Sequence, residues 1–196
     1  MTHLLPLADD PAPERADAAR NRQAILAAAL HLVETRGVAC VTMDTVASEA
    51  GVGKGTLFRR FESREGLMAA VLNESETAWQ ASVISGPPPL GPGAPAMERL
   101  HAFGHSRLRA NLVHADLIAA AGAPGTRSVA ALSFANMHVR YLLGELGVTG
   151  DLLMLATAVL APLEMIVLEQ QVNREQISLE RIEAGWDDLV RRIVGC

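Results

Sequence analysis

The stretch GVGKGTLFRRF, residues 51–61, holds three glycines, a lysine, a threonine and two arginines. Two chemistries compete for it. Glycines beside a lysine and a threonine can wrap a nucleotide phosphate in backbone amides, whereas arginines on a short helix can reach DNA. Spacing separates the two. A phosphate-binding loop of the G-x-x-x-x-G-K-[ST] type needs glycine where this chain has Ser48, and Ser or Thr where it has Gly55. A dinucleotide fingerprint needs a third glycine where it has Thr56. Both also need a preceding β-strand, and the residues up to Ala50 pattern as a helix. A nucleotide-utilising enzyme built on residues 51–56 is therefore the weaker alternative. No nucleophile motif appears elsewhere, so neither enzymatic activity nor a cofactor is expected.

A second pair, His101 and His105, has the i, i+4 spacing of two metal ligands on one helix face. No third ligand stands at a recognisable spacing from it. An ordinary polar helix face is the expectation, and no metal is assigned.

The elements that must position residues 51–61 are helical. A first helix is expected from about Asn21 to Arg36, with Ile25, Ala29, Leu32 and Val33 on one face and Gly37 at its end. Cys40, in the link that follows, reads as a small buried hydrophobe. Thr42 suits the N-cap of a second helix, 43–50, whose inner face is Met43, Val46, Ala47 and Ala50. Gly51 to Gly53 make a turn, and a third helix follows from Lys54 to about Arg60. Leu57 and Phe61 point inward, while Gly55, Thr56, Arg59 and Arg60 share the outer face. A small residue at Ala47, a turn glycine at Gly51 and an apolar lock at Leu57 are what a helix-turn-helix needs. Between Gly51 and Arg64, Lys54, Arg59, Arg60 and Arg64 oppose only Glu62, a local charge of 4 − 1 = +3 in a chain of net charge −5. Nucleic-acid binding, if present, must come from such a local patch.

Residues 21–72, and TMDTVASEAGVGKGTLFRRFESREGLM above all, resemble the DNA-binding domain of the TetR family of transcriptional regulators. The resemblance implies an all-α fold of about nine helices, with three in a helix-turn-helix domain and the last two in a homodimer bundle. It implies that Lys54 and the Gly55 amide meet a phosphate at the start of the recognition helix. Thr56, Arg59 and Arg60 would reach base edges or adjacent backbone, with Thr42 and Arg64 clamping phosphates on either side. Phe58 stands where the family often has tyrosine, Arg60 where it often has histidine and Gly53 where it often has serine. The implied function is a ligand-responsive regulator, a repressor, binding a near-palindromic operator as a homodimer and released by a small-molecule effector. A ligand-sequestering helical protein is a further alternative, opposed by the retained basic face.

Domain limits follow from composition. Residues 1–19, with three prolines and four acidic groups, are expected to form a mobile arm; 20–64 the DNA-binding domain; and 65–196 a larger ligand-binding and dimerisation domain. Ser63 caps a fourth helix to about Ile84. SGPPPLGPGAP, 85–95, is expected as a stiff polyproline-like link. Further helices are expected at about 96–111, 114–122, 127–146, 150–171 (kinked at Pro162) and 178–194. Leu160, Leu163, Val167, Ile182, Trp186, Leu189, Val190 and Ile193 are the expected dimer interface. Phe103, His114, Met137, His138, Tyr141 and Glu164 are the candidates for an effector pocket. Cys40 and Cys196 make neither a metal pair nor a disulfide framework, and no signal peptide is visible, so a cytoplasmic protein is expected. The longest apolar stretch, Leu152–Leu163, is too short to span a membrane and runs into Glu164.

Overall fold

A computed structural model describes residues 13–120 and 129–195. The fold is all-α, with no strand among the described residues. In order the helices are α1 (Pro13–Arg36), α2 (Met43–Glu49), α3 (Lys54–Phe61), α4 (Arg64–Ser85), α5 (Ala96–Ala120), α6 (Val129–Glu145), α7 (Leu152–Leu160), α8 (Met165–Glu169) and α9 (Leu179–Val194). Short 3-10 turns span Val38–Cys40 and Ala161–Leu163, and a π-helical turn spans Gln170–Arg174. Contact density divides the chain into two compact units, Met1–Val71 and Leu72–Cys196, with the boundary inside α4.

In the first unit, Ile25, Leu26, Ala29 and Leu32 of α1 are buried, as are Val46 and Ala47 of α2 and Leu57 and Phe61 of α3. α1 starts at Pro13, so part of the segment expected to be a mobile arm is helix. Proline is tolerated at a first helical position because the amide it lacks would have had no intrahelical partner. The alanine-rich residues that follow favour continuation. Gly37 closes α1 with φ of 78°. Cys40 is exposed rather than buried; Val41 supplies the apolar contact of that link.

In the second unit, α5 runs unbroken where two helices were expected, because no glycine or proline interrupts residues 111–114. Residues 121–128, where a break was expected, lie outside the described residues. Residues 86–91 form a compact turn rather than an extended rod: the Gly91 amide donates to the Pro87 carbonyl at 3.0 Å. Pro162 does break its helix. α7 gives way to a 3-10 turn, and Glu164 is extended (φ −68°, ψ 141°) before α8 begins. By length and composition alone, Leu152–Arg174 could cross a membrane, a longer stretch than the sequence suggested. Its backbone leaves the helix at Glu164, however, and Ala156, Val159, Leu160, Leu163 and Leu168 are buried in the unit's own core.

Trp186 of α9 organises that core. Its indole Nε1–H donates to the Val159 carbonyl at 2.8 Å. Its ring fills the space that Gly104 leaves on α5, where an added Cβ would lie 2.2 Å from the indole. A polar layer sits beside it. Arg107, 1% exposed, donates to both carboxylate oxygens of Glu76 at 3.0 and 2.9 Å and lies 4.3 Å over the Trp79 ring. Asn111 donates to the Leu163 carbonyl at 2.5 Å, fixing α5 against the break after α7.

The residues expected at a dimer interface therefore divide. Leu160, Leu163, Ile182, Trp186 and Val190 are buried within the single chain. Val167, Leu189 and Ile193 are half-buried. The large apolar side chains that remain exposed nearby are Leu153, Met154 and Ile166.

Close packing at Gly104 makes this position intolerant of a methyl group. Gly104→Ala is expected to cost about 1–3 kcal/mol through overpacking against the indole. Urea unfolding followed by tryptophan fluorescence checks it; an unchanged midpoint would show that the notch is not needed.

Candidate nucleic-acid interface

The interface is built on a capped turn between two short helices. The Thr45 amide donates to Thr42 Oγ1 at 3.1 Å, and the Thr42 amide donates to Thr45 Oγ1 at 2.9 Å. This reciprocal box satisfies two amides at the start of α2. At the other end the Ala50 amide bonds to Val46 and the Val52 amide to Ala47. Gly51, at φ of 65°, supplies the left-handed residue that reverses the chain. Ala47 is buried and small enough to admit α3, whose Leu57 is fully buried. The amphipathic spacing of α3 then turns Lys54, Gly55, Phe58 and Arg59 outward, with Thr56 half-buried. A Cβ built at Gly55 would meet nothing within 4 Å.

The four basic side chains of this patch do different things. Arg59 is exposed and has no hydrogen bond or ion pair among the described residues. Lys54 Nζ lies 2.6 Å from Asp44 Oδ1 and 6.0 Å over the Phe58 ring. Both members of that ion pair are exposed, so it is weak and exchangeable for a phosphate.

Arg60 and Arg64 turn inward, against expectation. Arg60 Nη1 donates to the Ala18 carbonyl of α1 at 2.6 Å. Arg64 Nε donates to the Val41 carbonyl at 2.7 Å and its Nη2 to the Val38 carbonyl at 2.8 Å. The guanidinium of Arg64 thus fastens the 3-10 turn to the start of α4. Thr42, the other expected phosphate clamp, spends its hydroxyl on the cap of α2.

Of the effector-pocket candidates, Phe103, His138 and Tyr141 come together: Tyr141 lies 6.4 Å from His138 between ring centroids. Phe103 is buried and stacks on His138 at 5.0 Å between centroids. His138 is half-buried and also stacks on Phe134, and its buried Nε2 has no hydrogen-bond partner among the described residues. Burial, aided by the charge of Arg99, lowers the His138 pKa to about 4, so the ring is neutral at pH 7. Met137 and Tyr141 are exposed. Glu164 lines a shallow concavity of ≈ 350 Å³ with Asn136, Thr157, Leu160 and Ala161. Met137 lines a different one. The His114 side chain lies outside the described residues. One cluster that sequence spacing missed does assemble: His101 Nδ1 and His105 Nε2 lie 2.5 and 2.9 Å from the same Asp187 oxygen.

Comparison with known proteins bears mainly on the first unit. A family model described as bacterial regulatory proteins, tetR family, matches residues 25–71. An HTH-type transcriptional regulator of Staphylococcus aureus (strain USA300) is 40% identical over 58 residues, which is 30% of this chain and 31% of that protein. The chain thus spans about a third of the length of the curated relatives it matches. Among solved structures, a transcriptional regulator from Rhodococcus sp. Rha1 is similar at TM-score 0.63 and 18% identity, covering 88% of this chain and 95% of that one. A TetR transcriptional regulator from Streptomyces coelicolor is similar at TM-score 0.56 and 25% identity, covering 89% and 96%. The multidrug binding protein EbrR, complexed with imidazole, is similar at TM-score 0.55 and 24% identity, covering 96% and 97%.

The two arginine classes separate by stability. Arg64→Ala removes charge-assisted bonds to two carbonyls and is expected to cost about 1.5–3 kcal/mol. Arg59→Ala is expected to stay within about 0.5 kcal/mol of the parent. Chemical denaturation followed by circular dichroism distinguishes them, and equal midpoints would place Arg64 on the solvated face after all.

Proposed function

We propose, for a chain that belongs to the tetR family of bacterial regulatory proteins, that it is a DNA-binding transcriptional regulator whose recognition element is α3. One observation carries the reading most directly. A capped helix-turn-helix presents Lys54, Gly55 and Arg59 on one exposed face, with no side chain of its own covering the Gly55 backbone. Lys54 and the amide end of α3 would hold a phosphate, since the positive helix terminus and the ammonium favour the same anion. The bare backbone at Gly55 would admit close approach of the sugar-phosphate chain. Arg59 is the side chain free to form paired hydrogen bonds to a guanine edge. Thr56 and Phe58 would flank it, and Thr42 would contribute through its amide-rich helix start.

The wider reading has four parts: a homodimer on a near-palindromic operator, repression, release by a small-molecule effector, and a cytoplasmic location. Two copies related by a twofold axis would set two α3 helices in successive major grooves, about one helical turn apart. An effector that binds better to the state with the wrong spacing would release the DNA. The exposed apolar face of Leu153, Met154 and Ile166 supports self-association, with Val167, Leu189 and Ile193 at its margin. Ile166 is 80% exposed, which is costly unless a partner covers it.

Sequences selected from random DNA by the purified chain supply the ligand for a salt-titrated binding assay. Arg59→Ala is expected to cost about 1–3 kcal/mol on the selected site and to relax base preference there. Gly55→Ala is expected to weaken binding while leaving the fold intact or slightly firmer, since alanine favours helix by about 0.5–1 kcal/mol. The recognition face is misassigned if neither change alters the dissociation constant. Ile166→Glu is expected to convert the dimer to monomer in light scattering at micromolar concentration; an unchanged mass would move the interface elsewhere.

A further inference from the structure

We propose that His101, His105 and Asp187 form a site for one divalent first-row transition-metal ion of the zinc type, with a coordination position left open. The inference rests on the larger unit alone and is independent of the DNA-binding reading. The two histidines lie one turn apart on α5 and Asp187 lies on α9. The donor atoms of all three lie within 4.8 Å of one another. His101 Nδ1 and His105 Nε2 converge on a single carboxylate oxygen at 2.5 and 2.9 Å. Donors around a tetrahedral ion at bonds of about 2.0–2.1 Å sit about 3.3 Å apart. A retreat of the Asp187 oxygen by under about 1 Å brings both of its separations from the imidazole nitrogens to that value.

The donors are held in place. Both imidazoles meet the Trp186 ring edge-on, each at 6.3 Å between centroids, and Trp186 is itself fixed by the Gly104 notch and the Val159 carbonyl. One turn further along, Arg109 donates to Glu183 at 2.8 Å, a second tie between α5 and α9. Such orientation by surrounding packing is what a metal site needs to avoid ordering its ligands on binding.

Donor chemistry selects the ion. Two imidazoles and a carboxylate suit Zn²⁺, Co²⁺, Ni²⁺ or Fe²⁺, whereas Mg²⁺ and Ca²⁺ prefer all-oxygen sites. Three protein ligands rather than four leave one position for water or another donor. That position has room: both histidines line a concavity of ≈ 630 Å³ under the 86–91 turn, together with Pro87, Leu90, Glu98 and Arg109. The three ligand side chains are about a quarter exposed, so an ion can enter from solvent.

The test uses the tag-free full chain, stripped with EDTA and dialysed. Titration with ZnCl₂ by calorimetry is expected to give one ion per chain, and CoCl₂ to give visible d–d absorption of a nitrogen- and oxygen-bound ion. MgCl₂ at the same concentration is expected to do neither. Zn²⁺ is expected to raise the melting temperature, since it binds the folded state alone. Asp187→Asn and the double change His101→Gln with His105→Gln are each expected to lower Zn²⁺ affinity at least tenfold with the helical spectrum retained. Unchanged affinity in the double variant, or no stoichiometric binding by the parent, would reduce the cluster to an imidazole–carboxylate hydrogen-bond group and overturn the proposal. Should a variant fail to fold, modification of the parent by diethyl pyrocarbonate decides. Zn²⁺ must protect His101 and His105, read by peptide mass spectrometry, and full modification in its presence would equally overturn the site.

Discussion

Trp186 is the contact on which the larger unit depends. One side chain on α9 closes the notch at Gly104 of α5, donates to a carbonyl at the end of α7 and packs against two histidines. No smaller residue could do all three, because the notch takes the six-membered ring while the carbonyl takes the N–H. The same side chain explains why the apolar stripe of α9 belongs to the core. A stripe of Ile182, Trp186 and Val190 has one partner, and α5 with α7 take it. The opposite margin of α7 and α8 stays exposed, and it is there that the proposed second copy would dock. There Pro162 and the extended Glu164 interrupt the helix and turn Ile166 out to solvent.

In the smaller unit the governing constraint is the satisfaction of carbonyls at helix junctions. Counting charge in residues 51–64 yields +3, but half of the four cations are committed to backbone oxygens. An arginine is well suited to that work, since its planar fork carries several donors to groups that a short loop cannot pair by itself. The outward charge is therefore carried by Arg59 and an exchangeable Lys54. A proposed DNA face of this kind relies on few side chains and on a bare backbone at Gly55, so positioning by the helix-turn-helix matters more than the amount of charge.

Much of that positioning was legible in the sequence. Thr42, Ala47, Gly51 and Leu57 are local signals, each acting over a few residues, and the capped turn follows from them. Pro162 likewise announces its own break. What periodicity cannot tell is the identity of the cover. It marks Ile182, Trp186 and Val190 as buried but not whether the burial is within one chain. Composition misled at α1, where Pro13 reads as a loop residue but starts a helix. Arg60 and Arg64 sit on the expected solvent side of their helices, yet long flexible stems let them reach Ala18, 42 positions away, and Val38, 26 positions away. Asp187 is 82 positions from His105, beyond any ligand-spacing rule, so only the pairing of α5 with α9 reveals it.

The histidines of this unit show how packing alone divides one residue type into two chemistries. His138 lies between the rings of Phe103 and Phe134 and near Arg99, where water that would solvate an imidazolium is excluded. Such a ring stays neutral at pH 7 and packs among its aromatic neighbours. His101 and His105 share Trp186 as an aromatic neighbour and a carboxylate, Asp187, as a polar one. Their free edges open on a concavity instead of a hydrocarbon wall. A cation placed there replaces a hydrogen-bonded proton without losing solvation on every side. The difference lies in what α9 brings to α5, and that is set by where Trp186 docks.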